Sequence, residues 1–238
     1  VYTPPGYEQS DFEYPVVIVH DGLEYLSFAH TDNIIDYLIY HELIDPVIAV
    51  FIPPVNRTEE YYTTDQEDFS TFVSEDIGPW LESKYRTKDE PGSHAVIGSS
   101  YGGNISLWFG MGSPEDFGYV GAFSPFIEED ILNYFSNNPA MDLKIYINNG
   151  TYDHLDPIHE SVEAFLPILD EKEYEYLFEE YPEGHSYGLW RAHIDDALIY
   201  FYPFTGAYVG FDEKGSNSIQ LFPNPSNGFI NIVSETDI

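Results

Sequence analysis

Residues 94–108 read HAVIGSSYGGNISLW, with two adjacent serines between glycines. A serine hydroxyl can attack a carbonyl carbon when it is lifted clear of the backbone and a base removes its proton. Only Ser100 has glycine two residues before it (Gly98) and two after it (Gly102); the same frame on Ser99 falls on Ile97 and Tyr101. The spacing is mechanical, because side chains at those two positions would collide where a strand converges on a following helix. His94 to Ile97 reads as a short buried strand and Asn104 to Phe109 as the first turns of a helix, so the context is strand, turn, helix. Read without chemistry, the segment is a glycine-rich turn.

A nucleophilic serine also needs a base and a carboxylate to orient that base. After the apolar run LKIYIN (143–148) comes NGTYDHLD, which places Asp153 on a loop beyond the end of a strand. After EYEYLFEEYPE (173–183) comes GHSYGLWR, which places His185 between a strand and a helix. Asp156 competes with Asp153 for the carboxylate role. His154 and His193 are weaker candidates for the base, since one adjoins the acid and the other lies within a helical pattern; His20 ends a strand and shapes the loop after it. An oxyanion needs two donors. One is the backbone N–H of Tyr101, directly after Ser100; the other is the Leu23 N–H in VHDGLEY (19–25), where Gly22 permits a sharp turn. That loop can also be read as an ordinary turn after a strand.

The elements that must hold these residues alternate along the chain. YPVVIVH (14–20) and PVIAVFI (46–52) are β-branched runs, and further strands are expected at 118–123, 143–148 and 174–179. Between them Ile34, Ile35, Leu38 and Ile39 recur at helical spacing. Phe69, Phe72, Val73, Ile77, Trp80 and Leu81 form a longer amphipathic stretch despite Gly78-Pro79, and helices are expected around 158–170 and 189–201. The alternation predicts an α/β fold, a mostly parallel central sheet with helices on both faces. No internal repeat is present.

The composition is 43% hydrophobic and 17% aromatic over 238 residues, enough for one domain with a single core. The absence of cysteine excludes disulfides, thiolate metal sites and a cysteine nucleophile. No apolar run reaches the length of a membrane-spanning helix. With 42 acidic residues against 8 basic ones, the net charge is −34, and nothing resembles the basic stripe that binding nucleic acid requires. The acids are scattered, as on a solvated surface. The acidic stretch DHLDPIHE (153–160) is the one candidate cation site, and its spacing matches neither calcium nor zinc motifs.

Taken in order, VYTPPGY, HDGL, PPVNRTEEY, FVSEDIGPWLESKYRT, VIGSSYGGNISLW, GAFSPF, NNGTYD and GHSYGLWR resemble the α/β-hydrolase esterases that include esterase D, enterochelin esterase, antigen 85 and the feruloyl and acetylxylan esterases. The resemblance covers roughly residues 1–203. It implies an α/β-hydrolase fold with Ser100 as nucleophile, Asp153 (Gly-Thr-x-Asp) and His185 (Gly-His) completing the triad, Leu23 and Tyr101 as the oxyanion hole, and no cofactor. The family's strands before VYTPPGY are missing, and the chain opens on Val1, so both ends are expected to be cut from a longer protein.

Domain 1–209 is thus expected to be the esterase, 210–217 (within GFDEKGSNS) a linker, and 218–238 the truncated start of a further unit. The tail IQLFPNPSNGFINI resembles the opening of the C-terminal sorting domain of type IX secretion, which implies export machinery as a partner and a secreted or cell-surface location. The expected activity is a secreted serine carboxylesterase acting through an acyl-enzyme on carbohydrate-linked acetyl or feruloyl esters, free or on polysaccharide. The alternatives are a siderophore trilactone esterase and a catalytically silent hydrolase fold used for binding.

The charge generates a prediction of its own. Most carboxylates lack a basic partner, so the surface repels itself, and salt that shortens the Debye length from about 10 Å at 0.1 M to about 3 Å at 1 M relieves that repulsion. Such a surface fits a saline environment. The melting temperature is expected to climb along a sodium chloride series at pH 7; stabilisation by millimolar calcium alone, at fixed ionic strength, would point instead to the acidic loop at 153–160.

Overall fold

A computed structural model of the chain describes residues 1–153 and 156–208. The linker, the tail resembling a sorting domain and His154 lie outside the described residues. Six strands, β1 (Val16–His20), β2 (Ile48–Ile52), β3 (Ala95–Ser99), β4 (Tyr119–Phe123), β5 (Lys144–Gly150) and β6 (Glu175–Tyr181), form one sheet in the order β2-β1-β3-β4-β5-β6. Every pairing between these strands is parallel. The strands expected from the sequence are all present within a few residues of their expected bounds.

The helices are α1 (Gly22–Glu24), α2 (Thr31–Tyr40), α3 (Arg57–Tyr62), α4 (Gln66–Thr71), α5 (Gly78–Lys84), α6 (Tyr101–Gly112), α7 (Glu129–Asn137), α8 (Asp156–Glu171) and α9 (Tyr187–Phe201). The single stretch expected over 69–81 is broken: α4 runs into a π-helical turn (Phe72–Ile77), and α5 restarts with Pro79 in its first turn. Pro79 has no N–H to donate, so an uninterrupted α-helical ladder cannot pass through it.

Parallel strands covered on both faces must be apolar on both, which is why β1 and β3 are buried at every residue. Alternation along each strand divides the core in two. Val16, Ile18, Val96, Val120 and Ile145 pack with Ile105, Phe109, Phe135 and Phe165 on the α6, α7 and α8 side. Val17, Val19, Ile97 and Tyr146 pack with Ile35, Leu38, Ile194 and Leu198 of α2 and α9 on the other. The edges are guarded differently. β6 carries Glu175, Glu179 and Glu180 along a partly exposed edge, where charge discourages further pairing. At β2, Tyr2 makes an antiparallel bridge to Ala49, so VYTPPGY meets the sheet through a single pairing.

Two histidines are built into this core as neutral groups. His20, at the end of β1, is fully buried among the rings of Tyr61, Phe69 and Phe109, and neither ring nitrogen has a partner among the described residues. Burial first, and then the nearby Arg57 charge, push its pKa down to about 3. His94 accepts a hydrogen bond from the Val16 N–H at Nδ1 (3.0 Å) and, so fixed, donates from Nε2 to the Lys88 carbonyl (2.9 Å); burial lowers its pKa as well.

An unfolded histidine titrates near 6.5. Below that pH the unfolded chain takes up protons that the folded chain refuses, so stability is lost as pH falls from about 6.5 toward the folded value, at up to about 1.4 kcal/mol per pH unit for each histidine. Denaturant titrations at pH 7 and pH 5 are therefore expected to show His20→Leu losing less stability than wild type over that interval, by about 2 kcal/mol. Parallel losses in the two proteins would show that His20 is protonated in the folded state.

Candidate active site

β3 ends at Ser99, which is 1% exposed, and the next residue breaks the strand geometry. Ser100 has φ 58° and ψ −120°, a conformation that costs a non-glycine residue roughly 1–3 kcal/mol, and it caps α6 in a partly exposed position. Its N–H donates to the Phe123 carbonyl of β4 (2.8 Å), and its carbonyl accepts from the Gly103 and Asn104 N–H groups (3.0 and 3.1 Å). The glycine frame does what its spacing implies. A Cβ on Gly98 would lie 2.4 Å from the Gly102 carbonyl oxygen, and one on Gly102 would lie 3.2 Å from Asp21 Oδ2.

Asp153 follows β5 and His185 follows β6, neighbouring strands whose exit loops are laced together. The Thr151 N–H donates to the Tyr181 carbonyl (2.7 Å) and the Tyr152 N–H to the Glu183 carbonyl (2.9 Å). The approach is so close that a Cβ on Gly150 would sit 2.3 Å from the Glu183 oxygen. The result is a 2.7 Å hydrogen bond between His185 Nδ1 and Asp153 Oδ2, with the carboxylate fully buried and the imidazole one-fifth exposed. An ionised carboxylate only accepts, so Nδ1 carries the proton and Nε2 is left as a base. Trp190 meets the His185 ring edge to face at 5.0 Å and donates from Nε1 to Ser124 Oγ (3.3 Å). The Ser100 hydroxyl makes no hydrogen bond among the described residues, so the structure joins two of the expected trio and presents the third two strands away. Such bonds are often long until substrate binds.

Of the rival residues, His20 lies in the buried core and His154 outside the described residues. Asp156 opens α8. His193 stacks on Tyr181 and bonds Asp196 through Nδ1 (3.0 Å). No group of three or more His, Cys, Asp or Glu among the described residues is arranged to hold a metal ion, and none of their helices is long and apolar enough to cross a membrane.

Leu23 sits in the first turn of α1, after β1, and Tyr101 in the first turn of α6, after the adjacent β3. Neither amide donates to an acceptor among the described residues. Two free N–H groups at helix N-termini are suited to negative charge.

Several residues around this point were not singled out from the sequence. Arg57 of α3 binds Asp21 through both carboxylate oxygens (2.8 Å each) and the Ser99 carbonyl (3.1 Å). Burial works against its charge, but the Asp21 carboxylate outweighs that and holds its pKa above the ordinary value. Buried Asn104 donates to the Tyr61 carbonyl (3.0 Å) and to Glu128 (2.6 Å), and its own oxygen accepts the Glu128 N–H (3.0 Å), tying α3, α6 and the loop after β4 together. Tyr62 stacks face to face on Tyr101 with centroids 4.6 Å apart, and Phe126 meets both edge-on. The available signal was chemical rarity: Arg57 is one of only three arginines, with Arg86 and Arg191.

Comparisons with known proteins bear on the family and the fold. The family model described as "Putative esterase" matches residues 1–201. An uncharacterized protein of Bacillus subtilis, YjcH, is 24% identical over 212 residues, 83% of this chain and 88% of its own. A solved ferulic acid esterase superposes with a TM-score of 0.73 at 18% identity, covering 84% of this chain and 89% of that one. The enterobactin esterase FES from Shigella flexneri gives 0.75 at 22% identity, covering 84% of this chain and 53% of that one. The chain belongs to the esterase family and has the α/β-hydrolase fold.

Proposed function

We propose that the chain is a secreted serine carboxylesterase in which Ser100, His185 and Asp153 act as a triad. The observation that carries this reading is the 2.7 Å bond between His185 and buried Asp153, formed beyond the carboxyl ends of the sheet that presents Ser100 on its strained turn. Ser100 Oγ attacks the ester carbonyl carbon as His185 Nε2 takes its proton, and the carbonyl oxygen becomes an oxyanion received by the Leu23 and Tyr101 amides. The C–O bond to the alcohol then breaks, with His185 returning the proton to the departing oxygen. Water, deprotonated by the same nitrogen, attacks the acyl-enzyme and releases the acid. Asp153 holds the Nδ1–H tautomer throughout.

The substrate we favour is a feruloyl or acetyl ester on carbohydrate. The half-buried rings of Tyr62, Tyr101 and Phe126, one of them directly after Ser100, form an apolar shelf suited to a phenolic acyl group or a sugar face. A chain of net charge −34 disfavours a large anionic ester such as a ferric siderophore. The proposed export rests on the resemblance of the tail to a type IX sorting domain.

A fluorophosphonate probe is expected to label wild type and Ser99→Ala but not Ser100→Ala; equal labelling of all three would remove Ser100 from the mechanism. Unlabelled wild type that hydrolyses none of p-nitrophenyl acetate, methyl ferulate, acetylated xylan or a siderophore lactone would favour a silent binding fold. Asp153→Asn is expected to lower kcat about ten-thousandfold with the melting temperature retained, while Asp156→Asn is mild. The reverse ranking would move the orienting role to Asp156.

A further inference from the structure

Asp21 precedes one proposed oxyanion donor, Leu23, and rests its carboxylate against Gly102, the residue after the other, Tyr101. It ends the loop out of β1, two residues before Leu23, in the left-handed conformation (φ 52°, ψ 42°), and it is 3% exposed. Its Oδ2 would be 3.2 Å from a Cβ on Gly102, so the carboxylate rests against the first turn of α6, beside Tyr101. A buried carboxylate at that place has two harmful options. It can repel the negative charge that develops on the substrate oxygen, or turn toward the free amides and occupy the position meant for that oxygen.

Arg57 prevents both. Its Nε and Nη2 each lie 2.8 Å from a carboxylate oxygen of Asp21, which fixes the carboxylate plane bidentately, and Nη2 reaches on to the Ser99 carbonyl at 3.1 Å. The guanidinium lies 5.6 Å from the ring centroids of both Tyr61 and Tyr101. Tyr61 completes the frame by accepting the Asp21 N–H at its hydroxyl (3.1 Å). One cation therefore ties the residue before α1 to the residue before Ser100, across two adjacent strands. Below the loop there is no room for adjustment, since a Cβ on Gly22 would lie 2.3 Å from the Phe51 carbonyl carbon.

We propose that Arg57 is a positioning residue of the oxyanion hole: it fixes the loop carrying the Leu23 N–H against the turn carrying the Tyr101 N–H, and it neutralises Asp21 beside them. This rests on the reading of Ser100 as nucleophile. The role is exercised chiefly in the transition state, so its loss falls on kcat and not on KM.

The test uses the full chain and p-nitrophenyl acetate, with fluorophosphonate labelling and melting temperature measured on each protein. Arg57→Gln is expected to lose about 100-fold in kcat, the scale of one oxyanion donor, with KM changed less than threefold. Arg57→Lys falls between, because one ammonium cannot span both carboxylate oxygens and the Ser99 carbonyl. Guanidinium at tens of millimolar restores part of the Arg57→Gln rate where sodium chloride of equal ionic strength does not. Asp21→Asn/Arg57→Gln turns over at least tenfold faster than Arg57→Gln alone, because the orphaned anion is gone. Unchanged kcat in a folded Arg57→Gln overturns the proposal. A loss that follows melting temperature, with neither guanidinium nor Asp21→Asn restoring rate, overturns it too and leaves Arg57 a purely structural ion pair. If Arg57→Gln does not fold, Arg57→Lys decides: a lowered kcat at wild-type melting temperature supports the role, and an unchanged kcat refutes it. Wild type that takes no label brings down the Ser100 reading itself, whereas labelled wild type with unaffected Arg57 variants brings down this inference alone.

Discussion

The turn at Ser100 holds a non-glycine residue at φ 58°, ψ −120°, and much of the molecule is arranged around keeping it there. A conformation costing roughly 1–3 kcal/mol persists only where its surroundings over-determine it. β4 supplies the Phe123 carbonyl to its N–H, α6 supplies two amides to its carbonyl, and Arg57 holds the carbonyl of the residue before it. Gly98 and Gly102 let strand and helix converge closely enough for those bonds to form together. In the parallel order β2-β1-β3-β4-β5-β6 the loops after β1, β3, β5 and β6 all leave the carboxyl end of the strands, so the proposed site residues Leu23, Ser100, Asp153 and His185 follow strands at one end of the sheet.

What the sequence disclosed and what it concealed divide along the range of the interactions. The strands were legible because β-branched runs buried on both faces leave a continuous apolar signature, and the glycine frame of Ser100 because its constraint operates within five residues. Asp153 and His185 were legible by position, each following a strand-like run. The break within 69–81 is written in Pro79, and it divides the expected apolar stripe: Phe69, Val73 and Leu81 are buried, whereas Phe72 and Trp80 are exposed, because a π-helical turn shifts the phase of the residues that follow it. α7 escaped notice because Ile131 and Phe135, its buried pair, supply only one helical repeat. Arg57 was harder still. Its partners Asp21 and Ser99 lie 36 and 42 residues away, and nothing in local periodicity records such a contact.

Asn104 shows how a polar residue can be invisible in sequence and central in structure. Placed inside a helix of apolar residues, it reads as an unremarkable substitution. Its side chain is fully buried and bonded to Tyr61, a neighbour of the stacked Tyr62, and to Glu128, two residues beyond Phe126. Burial raises the Glu128 pKa, while the bonds from Asn104 and Gln66 favour the ionised form. The aromatic shelf beside the proposed nucleophile is therefore supported from behind by a polar network, which fixes a loop and a helix more specifically than apolar contact alone.

A chain of net charge −34 is an unpromising place to build up an oxyanion, and magnitudes decide how it can be done. A surface carboxylate about 15 Å from the reacting oxygen costs about 0.3 kcal/mol in water by Coulomb's law, before salt reduces it further. One unpaired carboxylate about 4 Å away costs about 4 kcal/mol at an effective dielectric of 20. The scattered surface acids therefore matter less together, once screened, than Asp21 does alone. On the proposed reading, one of only three arginines stands against that carboxylate, where its effect on the chemistry exceeds the small relief it would give the surface. On the same reading, the buried Asp21 carboxylate next to the loop of Leu23 is matched by Arg57, and the screened acidic exterior weighs less on the proposed reaction than that one carboxylate would unpaired.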